Sequence, residues 1–194
     1  MALTKTQIAN LAVYHMGGRA LTNVDTDDTQ EAIVIRGWYD AARDEFLRTH
    51  PWNFATTRTT LSALSSAPLA EYDYQAPLPA DCIRVIYADY VEEKFAVESS
   101  YILSNVQYPV LKYVKQMEPT TWPQDCVNAF SFLLASYIAQ AINGPAGDAM
   151  KYRDMYEKIM LPQCKIRDSK ELREKIYDRD IESEIIIARQ SDWY

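Results

Sequence analysis

Apolar positions follow helical spacing at both ends of the chain and form short, strand-like runs in the middle. Near the start, Ile8, Leu11 and Ala12 share one face, with His15 at its end, and predict a helix over about 4–16. Thr4 and Gln7 have capping-box spacing, in which hydroxyl and amide side chains satisfy free backbone groups. Gly17-Gly18 supplies the left-handed stop. A second stripe, Ile35, Trp38, Ala42 and Phe46, predicts a helix over about 28–49, with Arg36/Asp40 and Asp44/Arg48 as i,i+4 pairs on its exposed side. Pro51 ends it, because proline disfavours helical geometry in the preceding residue. The most regular pattern is Val127, Phe130, Leu133, Leu134, Tyr137, Ile138 and Ala141. It predicts a helix over about 123–142 that starts at Pro123 and ends at Asn143-Gly144-Pro145. A fourth helix is expected over about 146–160, with Tyr152, Met155, Tyr156 and Ile159 inward. The short link makes the last two helices antiparallel neighbours.

Between these helices the period changes. Residues 56–64 are rich in threonine, and 83–90, enriched in β-branched and aromatic residues, is the best strand. Strand-like runs also begin at Thr56 and occupy 95–98, 101–103 and 110–115. Three prolines make 65–79 read as a loop. The expectation is one small antiparallel sheet inserted between helices. After Pro162 the residues alternate in charge and offer too few apolar positions for a wide buried stripe, until Ile185-Ile186-Ile187 and the terminal Trp193-Tyr194. The chain therefore reads as α+β, mainly α. It would be an antiparallel helical bundle with a small inserted antiparallel β region and an extended C-terminal arm, divided into a core over 1–162 and an arm over 163–194. Apolar residues held away from the core by a charged spacer are costly to leave in water, so the arm points to a partner surface.

Composition narrows the function. The net charge is −7, spread along the chain, and no segment is basic enough for tight nucleic-acid binding through phosphates. No uninterrupted apolar run approaches the roughly 20 residues that cross a bilayer, which predicts a soluble protein. The start lacks the apolar segment of a secretory signal, and Cys82, Cys126 and Cys164 are odd in number and far apart. They read as buried free thiols in a reducing compartment. His15 and His50 have no second His or Cys at metal-ligand spacing. Gly-x-Ser-x-Gly, Cys-x-x-Cys and phosphate-loop patterns are missing from the sequence, so neither a catalytic set nor a metal or cofactor site is expected. Residues 22–29 offer several oxygen ligands. They lack the glycine and the distant glutamate of an EF-hand, and read instead as a loop capping the next helix.

The segment 36–56, Arg-Gly-Trp-Tyr-Asp-Ala-Ala-Arg-Asp-Glu-Phe-Leu-Arg-Thr-His-Pro-Trp-Asn-Phe-Ala-Thr, resembles the tail tubular protein A family, the head-to-tail adaptors of short-tailed phages. The opening 3–12 run, Gly17-Gly18, the acidic 25–28 stretch and the 78–85 run Leu-Pro-Ala-Asp-Cys-Ile-Arg-Val fit the same pattern, so the likeness spans most of 3–160. Its characteristic residues here are Arg36, Arg43, Pro51, Trp52, Asn53 and Phe54. The resemblance implies a non-enzymatic structural protein at the head–tail junction of a virion, assembled in the host cytoplasm. Its partners would be other copies in a ring of roughly twelve, the portal protein, a next tail component similar to tail tubular protein B, and DNA passing without sequence-specific binding. It also implies a C-terminal segment that reaches the portal, with Ile185, Ile186, Ile187, Trp193 and Tyr194 as candidate anchors. The aromatic pair after Pro51 would pin the helix end, and Asn53 would cap backbone groups. The residue pattern taken alone also leaves open an acidic interaction module that receives a partner helix, and a small enzyme using scattered carboxylates.

Overall fold

A computed structural model describes residues 3–66, 68, 71–88, 94–143 and 148–171. The fold is α+β. Helix α1, Lys5–His15, begins at Thr4, whose hydroxyl accepts the Gln7 N–H while the Gln7 side chain accepts the Thr4 N–H. It ends where Gly17 turns to φ +73°, letting the Gly18 N–H return to the Val13 carbonyl. Thr29 caps α2, Gln30–Arg48. In the preceding loop, the Asp27 carboxylate accepts the N–H groups of Thr22 and Asn23. Pro123 stands just before α3, Gln124–Asn143, and its carbonyl accepts the Val127 N–H.

Helix α3 is the centre of the main core and packs against α1, α2 and α4. Its length and composition would suit a membrane span, but 56% of that window is buried inside the protein, as in a core helix. The last helical stretch consists of α4, Ala149–Met155, a π-helical turn, Tyr156–Met160, and α5, Leu161–Glu171. The start of α4 lies beside Tyr137, and Cys164 of α5 lies beside Asp125 and Cys126 at the start of α3. The two stretches therefore run antiparallel.

The middle of the chain forms two sheets, not the one expected. Strands β1 (Thr56–Thr60), β3 (Cys82–Ala88) and β6 (Val110–Lys115) make the first, in the order β1-β6-β3. Strands β2 (Tyr74–Pro77), β4 (Phe95–Glu98) and β5 (Tyr101–Ser104) make the second, in the order β2-β5-β4. All pairings are antiparallel. Strand β2 lies inside the stretch read as a loop. Its Pro77 sits on an edge strand, where a missing N–H breaks no central ladder. Leu61, Ala76, Ala88, Ile102, Leu111 and Tyr113, drawn from both sheets and the residue after β1, share a second core. Val114 and the half-buried Ile83 and Ile86 face the main core and fasten the first sheet to the helices.

Several inward assignments change. On α2 the buried stripe is Ile35, Tyr39, Ala42, Arg43 and Phe46, while Trp38 is 43% exposed and stacks on Tyr137. The two aromatics are adjacent and about 100° apart on the helix, and the sequence does not say which one points inward. Arg36 and Arg48 do not form the expected i,i+4 pairs. Arg36 donates to the carbonyls of Val24 and Asp27, and Arg48 to that of Ile83. Ile159 is exposed and Met155 half-buried, and Ala141 is exposed. The expected core–arm boundary at 162/163 falls inside a continuous helical stretch, with Cys164 and Asp168 buried on the core. Pro162 lacks an N–H and crowds the preceding turn, which disfavours a regular α-helix there. Here the π turn, which closes with the Leu161 N–H on the Tyr156 carbonyl, ends just before Pro162 and accommodates it.

Candidate functional site

The 36–56 segment meets the last helix at a dense seam. Phe46 projects from the final turn of α2. The chain then reverses at Pro51 and lays Trp52 flat on Phe46, with ring centroids 4.8 Å apart and planes 5° apart. Trp122 stacks on Phe46, also at 4.8 Å, and Phe54 lies 5.8 Å from Trp52 and 5.6 Å from Trp122. Trp52 is fully buried, and its indole N–H donates to the Phe46 carbonyl at 3.0 Å. The same carbonyl also accepts the Thr49 N–H and hydroxyl, so three donors gather at the end of α2.

Asn53 joins this turn to α5. Its backbone N–H donates to Asp168 Oδ1 at 2.9 Å, and its side-chain amide donates to the Asp168 carbonyl at 2.6 Å. His50 Nε2 lies 3.1 Å from Asp168 Oδ2. Burial lowers the His50 pKa and outweighs the opposing pull of Asp168, so the neutral ring donates its Nε2–H to the carboxylate. Asp168 thus has both carboxylate oxygens and its carbonyl engaged by residues 50–53. The sequence reading placed Asp168 in a solvated arm. The signal it passed over is the i,i+4 pair Cys164/Asp168, one face of a helix that continues through Pro162.

The two motif arginines work elsewhere along α2. Arg36 ties its first half to the 22–29 loop through two carbonyls. Arg43 is nearly buried and lies 3.0 Å from Asp40, 3.0 Å from Asp44 and 2.5 Å from Glu118. Burial works against its charge, but the three carboxylates outweigh that and hold its pKa above the usual value. The seam and Arg43 together lock α2 to the connection before α3 and to α5. Arg36 is separate from the seam, while Pro51, Trp52, Asn53 and Phe54 converge in it. The candidate anchors Ile185, Ile186, Ile187, Trp193 and Tyr194 lie outside the described residues.

A second surface lies where α2 meets the C-terminal half of α3. The exposed Trp38 stacks on Tyr137 at 5.0 Å, and Tyr137 shares a shallow recess with Met150, which is 78% exposed. The Tyr137 hydroxyl donates to Glu45, which also accepts from Arg153 at 2.6 Å. Glu45 raises the Tyr137 pKa, so its hydroxyl stays protonated. The chemistry of this surface is apolar contact rimmed by a polar network, which suits binding more than bond-making. The chain matches no protein-family model and no curated protein.

Proposed function

We propose that this chain is a structural head-to-tail adaptor of a phage virion. About a dozen copies form a ring by head-to-tail contacts. The ring joins the portal to the next tail component, and DNA passes through without being read. The helices act as an antiparallel bundle that carries the β region. The C-terminal segment reaches the portal through Ile185, Ile186, Ile187, Trp193 and Tyr194. The protein acts at the head–tail junction, has no membrane role and is not an enzyme.

The 36–56 segment carries this reading. It is the most specific part of the resemblance, and its residues make the seam that fixes α5. A helix clamped at Asp168 by Asn53 and His50 gives any segment following Glu171 a firm point of departure. The exposed Trp38 and Met150 are surfaces that a neighbouring copy in a ring could cover.

Electron microscopy of the full-length protein mixed with the portal assembly of its own phage tests the proposal. A ring seated on one portal face is expected. Free protein beside free portals at high concentration would overturn it. Deleting 172–194 should abolish portal binding and leave the helical circular dichroism and its melting transition in place. Deleting from 163 should lower the melting temperature as well, because Cys164 and Asp168 belong to the core.

A further inference from the structure

Asp125 and Cys126 occupy the first turn of α3, and Cys164 lies on α5, far away in sequence. One carboxylate oxygen and two sulfurs from these residues lie within 4.8 Å of one another. Both thiols are buried, and Asp125 is half-buried. Cys164 Sγ lies 3.8 Å from Asp125 Oδ2, the S–H facing the carboxylate. The same recess is lined by Asp168 and by Arg167, whose Nη1 is 3.7 Å from Asp125 Oδ2.

We infer that Cys126, Cys164 and Asp125 form a binding site for a soft divalent cation of the zinc class, with water as the fourth ligand. Zinc–sulfur bonds of about 2.3 Å and zinc–oxygen bonds of about 2.0–2.2 Å place tetrahedral ligand atoms somewhat under 4 Å apart. Small side-chain movements suffice to reach that spacing. The fourth ligand is water because both Asp168 oxygens already serve Asn53 and His50.

Charge favours the site. On binding, each S–H bond breaks, the two protons pass to solvent, and each sulfur donates its lone pair to the metal. Two thiolates, one carboxylate and a divalent cation leave one net negative charge. The Arg167 guanidinium and the positive end of α3 both lie against it. A metal here would staple α5 to α3 beside the Asn53 clamp. The inference does not depend on the adaptor reading.

Anaerobic titration of reduced, metal-free, full-length protein with Co²⁺ tests this. The expected result is a thiolate-to-cobalt charge-transfer absorption and tetrahedral d–d bands that saturate at a single ion per chain and are displaced by Zn²⁺. Cys82→Ser should leave the spectrum unchanged. Cys126→Ser and Cys164→Ser should each remove or greatly weaken the charge-transfer band. Asp125→Asn, nearly isosteric and so the variant expected to stay folded, should weaken Co²⁺ binding by about 10- to 100-fold or more, the scale on which metal-site partners are felt. Folded, reduced protein that shows no such band overturns the site. So does an Asp125→Asn variant that binds like the wild type, or a Cys126–Cys164 disulfide found by mass spectrometry in the native protein.

Discussion

The helical half and the sheet half of this protein hold together by different means. Around α3 the core is built from large rings: Trp52, Tyr39, Tyr156, Phe46 and Phe130 are all essentially solvent-free. Between the sheets the core is small, and two of its six buried residues are alanines. The sheets rely more on backbone ladders, which contribute modestly per bond, and on their attachment through Val114. A platform of packed helices with a lighter sheet appendage follows. Damage to the seam should be felt throughout, whereas damage between the sheets should stay nearer home.

Trp52→Ala is the hardest test. It removes the ring stacked on Phe46 and should cost about 3–5 kcal/mol of unfolding free energy in equilibrium urea denaturation. Leu111→Ala, in the sheet core, should cost about 2 kcal/mol, the lower end for such truncations, because that core has only six buried residues among those described and several half-buried ones at its edge. The contrast breaks if Leu111→Ala proves the costlier of the two. Asp168→Asn should cost about 1–3 kcal/mol, since its NH2 end then faces the N–H of either Asn53 or His50 and leaves that donor without an acceptor. Amide exchange should show the loss first along α5.

The smallest effect is on pH dependence. Burial lowers the pKa of His50 and also of His15, whose ring stacks on Phe132 at 3.8 Å. The unfolded chain therefore takes up these protons at a higher pH than the native protein does. Their contribution to stability is complete above the unfolded value of about 6.5 and declines as pH falls through the lower folded values. Between about pH 7 and 5, wild type should lose more stability than a His15→Gln/His50→Gln variant. Equal losses would remove the histidines from the account.

The helix starts were legible because their signals are local. Thr4 with Gln7 and Pro123 before α3 act within one turn, and α3 announces itself by its long apolar stripe. The two sheets were not legible, since pairing β6 between β1 and β3 is a matter of long-range contact. Trp38 and Tyr39 offered two neighbouring rings for one inward place, and only the partner Phe130 settles it, edge-on to Tyr39 at 5.4 Å. Trp52 and Asn53 could be assigned packing and capping roles from sequence. Their partner Asp168 could not be named, because residues 163–194 read as an arm apart from the core. Cys126 and Cys164 meet for the same hidden reason.

That hidden reason is a matter of phase. In an α-helix each residue advances about 100°, so eight residues from Tyr156 to Cys164 would overshoot two full turns by roughly 80°. Cys164 and Asp168 would then point away from the face that Tyr152 and Tyr156 bury. The π turn over Tyr156–Met160 fits about one extra residue into a turn and takes back nearly that angle. All four side chains reach the core from one helical stretch. Removing a single residue from that turn, with every other residue left as it is, should restore a regular α-helix and keep both Asp168 on Asn53 and Cys164 on Cys126, because seven steps of about 100° bring Cys164 back to within roughly 20° of Tyr156.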